Sequence, residues 1–262
     1  SNNPWNNTIN TLSNLTKWHY PNFNNHISPK TPFDPTIQYI PEPWGGNDGT
    51  HPLQSVVINY NPGKGLPKQV GVSAPNFTTY HNAEINKGPK EKNYNYKNRA
   101  KPIYDVLKIL GVDLNGCDKL ENHLSVELIP WHSKGFTKEV LIYAQQNLNA
   151  IIEHSIKFAV EASKNICNDK LNRVVLFRIS LSRLIEIFDK TKNPYNTECE
   201  IVTCSKRNFN FLENANFAEF KILRNGCDLF PDVRLISIWQ PHRTSMNNFP
   251  YSADMLKIFG NI

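Results

Sequence analysis

The stretch Ser55-Val-Val-Ile-Asn-Tyr-Asn-Pro-Gly-Lys-Gly65 is the part of the chain that says most about its fold. Its first half is an apolar, β-branched run and its second half changes abruptly to Pro and Gly, which predicts a buried strand that ends in a tight turn. Folds that combine parallel strands with helices bind their ligands at the carboxyl ends of strands. We therefore expect the chemistry of this protein to lie where this strand ends.

Outside this stretch, strand-like and helix-like patterns alternate along the chain. Because strands separated by helices favour a parallel sheet, we predict an α/β fold, with a three-layer α/β/α arrangement around a central, mainly parallel sheet of about four to five strands. We also expect a single domain over residues 1–262, with irregular segments at 1–50 and 206–230. Further strands are predicted at 124–130, 173–180, 200–204 and 233–239, and helices at 102–110, 137–164, 181–188 and 252–259.

The composition favours a globular protein with an anionic partner. Lys and Arg number 29 against 23 Asp and Glu, a formal net charge of +6, and 39% of the residues are hydrophobic. Because no apolar run is long enough to span a bilayer, we expect no membrane partner. We also expect a monomer. The five cysteines are odd in number and form no CxxC pair, which indicates reduced thiols in a cytoplasmic location and argues against structural zinc. No cofactor is implied.

The turn after the first strand and a basic segment beyond it both suit an anionic ligand. Gly63 and Gly65 would let the backbone approach a ligand, and free amides in a turn bind an anion or a polar base edge, although a structural turn has the same composition. The turn carries neither the Walker A nor the dinucleotide-binding pattern. Between residues 84 and 101, basic residues alternate with Tyr94 and Tyr96, which is typical of a nucleic-acid-binding loop and equally of a solvated basic loop.

Two positions near this strand leave alternatives open. Glu127 interrupts the apolar strand predicted at 124–130; it faces solvent if that strand lies at a sheet edge, and it needs a partner or a function if the strand is buried. Trp44, followed by two glycines, either belongs to a covering loop or forms one wall of a pocket beside Asn61.

Asn61 and His242 follow the first and the last predicted strands, so they can converge with Glu127 at one edge of a parallel sheet. Asn orients a water but does not accept a proton efficiently, so Asn61 alone does not suit the hydrolysis of peptides or phosphate esters. His242 can stabilise charge that develops on a leaving group. These two side chains suit a reaction in which a sugar cation separates from a base anion. Glycoside hydrolysis by paired carboxylates fits poorly, because no second acidic residue presents itself as a partner for Glu127.

The spacing around the Asn-Pro-Gly motif resembles that of a known family. Asn61-Pro62-Gly63 is followed, after five residues, by Gln69, then by Gly71-Val72 and by Phe77. With the His-containing turn after the last strand, the organisation of residues 39–250 resembles the uracil-DNA glycosylase superfamily and is nearest to its single-strand-selective monofunctional branch. The resemblance implies a hydrolase that acts on DNA, single-stranded or mismatched, and cleaves the N-glycosidic bond of a flipped-out damaged or deaminated base.

The same resemblance implies a role for each matching residue. Asn61 would position the attacking water, and His242 would contact the base oxygen on which negative charge accumulates. Phe77 would stack on the extruded base, and Arg243 would act as a wedge in the duplex. The other implied substrate-binding residues are Tyr60, Pro62, Gly63, Gln69 and Glu127, and the other implied DNA-binding residues are Lys64, Lys68 and Ser245.

Three features depart from the family pattern. The residues 241–245, Pro-His-Arg-Thr-Ser, stand where the family has His-Pro-Ser, and Phe77 follows Gly71-Val72 two residues later than in the family. Glu127 stands where the family has an Asn that reads the amide edge of uracil. Because an ionised Glu only accepts hydrogen bonds, this position predicts either a base that presents two donors or a protonated Glu127.

Two other functions stay open on the sequence alone. A non-catalytic nucleic-acid-binding protein would keep the fold and the pocket without base excision. A small-molecule hydrolase or transferase would use His242 with Ser245 or Ser133, but no Gly-x-Ser-x-Gly elbow supports it.

Overall fold

The computed structural model describes residues 44–47, 49, 51–60, 96–109, 111–129, 133, 135–204 and 217–238. Within these ranges the chain forms one mixed sheet with helices between its strands. The predictions made for residues 1–43, for the glycine-rich turn and basic segment up to residue 95, and for the helix at 252–259 lie outside the described residues. The strands are β1 (Trp44–Gly46), β2 (Ser55–Asn59), β3 (His123–Glu127), β4 (Val174–Phe177), β5 (Thr197–Cys204), β6 (Phe217–Arg224), β7 (Cys227–Asp228) and β8 (Arg234–Ile238).

Four parallel strands form the centre of this sheet. They lie in the order β3-β2-β4-β8, and each neighbouring pair is parallel. These four strands coincide with the predicted apolar runs, so the α/β class is confirmed. The chain passes from β2 to β3 on one side and later returns to β4 on the other, which creates a topological switch point at the carboxyl ends of β2 and β4. We call the side of the sheet where all four parallel strands end the carboxyl edge.

Antiparallel strands extend this centre on both sides. β1 lies beside β3, β6 lies beside β8, β5 lies beside β6, and β7 pairs with β6. Among the described residues the sheet therefore has eight strands, more than the four to five expected. The prediction that 206–230 is irregular is wrong from Phe217 onward, because Asn225 and Gly226, with φ of 52° and 77°, form a two-residue hairpin turn between β6 and β7.

The helices agree closely with the sequence patterns. The predicted start at Thr137 is confirmed, since its side chain accepts the backbone N–H of Val140 and caps the second helix. The predicted helix at 137–164 is interrupted at Asn147 and contains a π-helical segment at Ile151–Ile156. The helices are α1 (Lys101–Ile109), α2 (Lys138–Gln146), α3 (Leu148–Ala150), α4 (Lys157–Ser163) and α5 (Leu181–Ile187), and a π-helical segment at Tyr96–Ala100 precedes α1.

Alternate residues of the central strands face opposite sides of the sheet, and one side is apolar. The ring of Phe177 packs edge-on against Phe220, with centroids 5.0 Å apart. We call this side the apolar face. Its side chains are buried away from water, so they contribute a large hydrophobic stabilisation. Its members from β2, β3 and β4 are each 1% exposed or less: Val56, Ile58, Leu124, Val126, Val175 and Phe177.

β1 is the outermost described strand beside β3, but its Trp44 side chain belongs to the hydrophobic core. Trp44 pairs with Val126, is 4% exposed, and lies with its ring centroid 6.4 Å from that of Phe158 in α4. Trp44 is therefore a core residue of the apolar face. It lies neither in a covering loop nor in the wall of an open pocket. At Gly46, φ is +93° and a Cβ atom would lie 2.0 Å from the carbonyl oxygen of His123, so the approach of β1 to β3 requires glycine.

Candidate functional site

The side of the sheet opposite the apolar face carries polar residues. On this side the β3 residues are all polar, whereas the polar residues of β2 and of the segment after β4 lie beside the apolar Val57, Val174 and Leu176. Buried polar groups are costly unless they are hydrogen-bonded, so this side must supply its own partners. We call it the polar face; its polar members are Ser55 and Asn59 from β2, His123, Ser125 and Glu127 from β3, and Arg178 directly after β4.

Glu127 is the last residue of β3 and lies at the carboxyl edge. β3 has a neighbour on each side and Glu127 is 6% exposed, so the interpretation of Glu127 as a solvent-facing residue of an edge strand is wrong. Asn59 is its register partner on β2. The Asn59 Nδ2 donates to Ser125 Oγ at 2.7 Å and lies 3.4 Å from Glu127 Oε1. The serine fixes the Asn59 amide, and the amide in turn faces the Glu127 carboxylate.

Arg178 flanks Asn59 from the other side. Its backbone N–H donates to the carbonyl of Ile58 at 2.8 Å, which continues the pairing of Ile58 with Phe177 and brings Arg178 level with Asn59. Burial lowers the pKa of Arg178, and the charge of Glu127 acts in the opposite direction. A carboxylate, an amide and a guanidinium thus belong to three neighbouring strand ends on one face of the sheet.

The amino end of the polar face holds a separate, closed cluster. His123 Nδ1 lies 2.8 Å from Ser55 Oγ, and its ring packs edge-on against Tyr104 of α1 with centroids 6.0 Å apart. Tyr104 donates its hydroxyl to the carbonyl of Lys119 at 2.9 Å. Burial, together with the charges of Arg99 and Arg178, lowers the pKa of His123 to about 3. His123 is therefore neutral at physiological pH, and its contacts are structural.

Tyr60 lies at the carboxyl edge, directly after β2. Its hydroxyl is 3.4 Å from Ser180 Oγ and accepts the Ser180 backbone N–H at 3.3 Å, which links the ends of β2 and β4 across the switch point. The Tyr60 ring packs on Phe136 with centroids 4.7 Å apart, and the guanidinium of Arg183 lies 5.2 Å from the centre of the Phe136 ring. Burial raises the pKa of Tyr60, so its hydroxyl stays protonated at neutral pH.

Tyr60 and Glu127 are the two predicted site residues within the described ranges, and both lie at the carboxyl edge. Ser133, considered as a nucleophile, is 1% exposed and donates its hydroxyl to the carbonyl of Gly135 at 2.7 Å, which is a turn contact. The remaining predicted site residues lie outside the described residues: Asn61, Pro62, Gly63, Lys64, Lys68, Gln69, Phe77, His242, Arg243 and Ser245.

Sequence reasoning missed Asn59 and Arg178, although a signal was present. Ser55, Val57 and Asn59 alternate with Val56 and Ile58, so period-two alternation already placed two polar residues on one side of β2. The overall apolar character of the run concealed this alternation. Arg178 was treated as part of a uniformly buried strand at 173–180, whereas β4 ends at Phe177.

The described part of the site carries both hydrogen-bond donors and acceptors. The carboxylate of Glu127 accepts hydrogen bonds, one of them from the Asn59 amide. Nowhere in the described ranges do three or more His, Cys, Asp or Glu side chains form a group that could hold a metal ion. The five cysteines are free thiols in this structure.

No family model, curated protein or solved structure matches the chain. None of the helices in the described ranges combines the length and apolar character that crossing a membrane requires.

Proposed function

We propose that this protein is a DNA glycosylase-like hydrolase that cleaves the N-glycosidic bond of a damaged or deaminated base flipped out of DNA. Asn61 positions the attacking water and His242 stabilises the leaving base, in line with the resemblance to the uracil-DNA glycosylase superfamily. The proposed architecture is a three-layer α/β/α domain, with helices on both faces of the sheet, that acts as a cytoplasmic monomer.

The observation that carries this proposal is the common direction of β2 and β8. Both strands run parallel to β4, which lies between them, so their carboxyl ends are about 10 Å apart at the usual spacing of roughly 4.8 Å between neighbouring strands. β2 ends at Asn59, two residues before Asn61, and β8 ends at Ile238, four residues before His242. These short separations support a common action of the two side chains on one base.

In the proposed reaction, the bond between the sugar C1′ and the base nitrogen breaks and its electron pair leaves with the base. The water oxygen forms the new bond to C1′, and one water proton passes through solvent to the departing base. The products are the free base and an abasic sugar. Asn61 only needs to orient the water because the sugar cation is a strong electrophile, and a donor from His242 to the base oxygen lowers the energy of the base anion.

The proposed partner is DNA in which a base is easily extruded. Extrusion costs a few kcal/mol and least for a mispaired or single-stranded base. The net charge of +6 favours the phosphate backbone, and binding should weaken as salt rises. In this proposal Phe77 stacks on the base, Tyr60, Pro62, Gly63, Gln69 and Glu127 form the rest of the pocket, and Lys64, Lys68, Arg243 and Ser245 contact the DNA.

The test is a base-excision assay. Single- and double-stranded oligonucleotides that carry uracil, hydroxymethyluracil, hypoxanthine or a mismatched normal base are incubated with the protein, and abasic sites are scored by strand cleavage in alkali. Wild-type protein should release at least one of these bases, and Asn61→Ala and His242→Ala should each abolish release without changing the circular dichroism spectrum.

Matched controls come from the opposite edge of the sheet. Asn165 is exposed, and its side-chain amide donates to the carbonyl of Glu161 at 3.1 Å. The next residue, Ile166, pairs with Leu53 just before β2 begins, which places Asn165 near the amino ends of the parallel strands. Asn165→Ala and a His51→Ala variant should release the base at the wild-type rate. Undiminished excision in Asn61→Ala would overturn the assigned mechanism, and tight salt-dependent DNA binding without excision of any base would favour the non-catalytic alternative.

A further inference from the structure

The tetrapeptide Asn-Gly-Cys-Asp occurs twice in the chain, at 115–118 and at 225–228, and each copy forms a tight turn. The first turn is closed by the backbone N–H of Cys117, which donates to the carbonyl of Leu114 at 2.8 Å, and the second is the hairpin turn between β6 and β7. The central Asn and Gly have φ of 49° and 72° in the first turn and of 52° and 77° in the second. Turns of this kind favour Asn-Gly because both central residues must adopt positive φ.

Asn-Gly is also the sequence in which an asparagine side chain is chemically most labile. The backbone nitrogen of the glycine attacks the side-chain Cγ and forms a new C–N bond, and the side-chain amide nitrogen leaves as ammonia. Water then opens the resulting cyclic imide to aspartate or to its β-linked isomer, isoaspartate. Glycine favours this reaction because it has no side chain to hinder the approach. The reaction uses no cofactor or oxidant, but the asparagine Cγ must rotate towards the glycine nitrogen.

Exposure does not distinguish the two turns. Asn115 and Asn225 are both exposed, and a Cβ atom at Gly116 or at Gly226 would have no neighbour within 4 Å in the described part of the chain. Both turns are therefore open to water, and both have the same four residues. A difference in reactivity between them has to come from the contacts that hold each asparagine.

The two asparagines are held differently. Asn196, directly before β5, donates from its Nδ2 to Asn225 Oδ1 at 2.7 Å, and the Asn225 backbone N–H donates to the Asn196 carbonyl at 3.1 Å. In the first turn, the Asn115 backbone N–H donates to Asp113 Oδ1 at 2.9 Å, but the Asn115 side chain forms no hydrogen bond with any of the described residues. Rotation of Cγ towards the glycine therefore breaks a hydrogen bond at Asn225 and none at Asn115.

We propose that Asn115 is a site of spontaneous deamidation in the folded protein, and that Asn196 protects the second copy of the same sequence at Asn225. Asn115 should convert about two- to tenfold faster than Asn225, the factor that one additional hydrogen bond to be broken implies. Each conversion replaces a neutral amide by a carboxylate and so lowers the net charge of +6 by one unit, and isoaspartate also adds a carbon to the backbone of the turn.

The test follows both sites in one sample. The folded protein is incubated in mildly alkaline buffer with a reducing agent and then digested with pepsin at acidic pH, where the imide forms slowly. Mass spectrometry of the two peptides detects the replacement of NH2 by OH. The deamidated fraction should rise faster at Asn115 than at Asn225, and equal rates, or a faster rate at Asn225, would overturn the proposal.

Asn196→Gly removes the protecting side chain. Glycine is the suitable replacement because Asn196 has φ of 47°, which a residue such as alanine adopts only with strain. In the folded variant, checked by circular dichroism, the rate at Asn225 should rise to that at Asn115. Asn115 is the internal control, and its rate should stay at the wild-type value. An unchanged rate at Asn225 would refute the protective role of Asn196.

The denatured chain provides the reference rates. In concentrated urea neither side chain is held, so the two identical tetrapeptides should convert at similar rates. A difference that persists in urea would show that the preceding residues, Leu114 and Arg224, set the rates instead of the fold. Absence of conversion at Asn115 in the folded protein, over a time in which it converts in urea, would contradict its assignment as a site. None of these outcomes depends on base excision, so the proposed function stands or fails separately.

Discussion

Val56, Ile58 and Phe177 lie on one side of the sheet, whereas Asn59 and Arg178, each the next residue along its strand, lie on the other. The first group belongs to the apolar face, where every named side chain is 1% exposed or less. The second belongs to the polar face, where the Asn59 amide lies at hydrogen-bond distance from Ser125 and from Glu127. The same two strands therefore serve the fold with one set of residues and the site with the alternate set.

This difference teaches which side tolerates change. Apolar contacts are non-directional, and the stabilisation they give scales with the area and volume filled, so a face of this kind can be repacked. Polar groups in a buried site need particular partners, and a half-satisfied cluster is worse than none. Substitutions on the apolar face should change stability with little effect on activity, whereas those at the carboxyl edge of the polar face should change both.

The largest loss of stability should come from Phe177→Ala on the apolar face. Phe177 is fully buried and contacts Phe220 edge-on at 5.0 Å, so the truncation should lower the free energy of unfolding by about 3–5 kcal/mol. Urea titration followed by circular dichroism measures this. The rate of base excision by the folded variant should remain at the wild-type value; lost activity in folded protein would mean that the two faces are not separable.

A smaller loss should come from Asn59→Leu on the polar face. Leucine has a similar volume but cannot donate the hydrogen bonds that Ser125 Oγ and Glu127 Oε1 accept from Asn59. The free energy of unfolding, measured by urea titration, should therefore fall by about 1–3 kcal/mol. Base excision by the folded variant should nevertheless fall more than it does in Phe177→Ala. If excision by Asn59→Leu is unchanged, the polar groups at the ends of β2 and β3 do not take part in the function.

His123 should make stability depend on pH. Its pKa is about 3 in the folded protein against an ordinary 6.5, so below pH 6.5 the unfolded chain binds a proton that the folded chain does not. This residue should therefore remove up to about 1.4 kcal/mol of stability per pH unit as the pH falls from 6.5 towards 3, with no effect at neutral pH. The measurement is urea unfolding at several pH values.

The His123→Gln variant isolates this effect because it lacks the titrating group. As the pH falls, its free energy of unfolding should rise relative to that of the wild type. The same substitution at the exposed His51 is the control for removing a histidine outside the buried cluster. Parallel curves for wild type and His123→Gln between pH 6.5 and 4 would show that His123 is protonated in the folded state.

The smallest effect should come from Tyr60→Phe. The two contacts of the hydroxyl with Ser180 are long, at 3.4 and 3.3 Å, whereas the ring contact with Phe136 at 4.7 Å is kept in the variant. The expected loss is about 0.5 kcal/mol or less, measured by urea titration. A loss above about 1.5 kcal/mol would show that the hydroxyl, and not the ring, links the ends of β2 and β4.

The central strands could be predicted from sequence because each is a short apolar run between polar or turn residues. The run that begins at Ser55 and the one at 124–130 both became central parallel strands, and the cap at Thr137 followed from ordinary capping chemistry. Asn225-Gly226 could also have been recognised, since this dipeptide is the strongest short-range hairpin signal. Its omission explains why β6 and β7 were expected to be irregular.

The candidate site was harder to predict because it depends on register between distant strands. Nothing local to Glu127 says whether β3 has one neighbour or two, and that alone decides whether the carboxylate is exposed or buried. Nor could the alternation within β2 indicate that Asn59 would lie level with Arg178. Propensity describes single strands, whereas the candidate site is a property of three strands held together by the whole fold.

The parallel centre also determines when the site can form during folding. Ser55 and His123, which bond across β2 and β3, are 68 residues apart in sequence, and Tyr60 and Ser180, which link the ends of β2 and β4, are 120 apart. Closing loops of this length has a large entropic cost before any contact offsets it, so such pairings form slowly. During synthesis, β2 emerges long before β4 and must remain unpaired on that side. The pairing of β2 with β4, and with it the contact of Tyr60 with Ser180 at the carboxyl edge, is therefore expected to form late in folding.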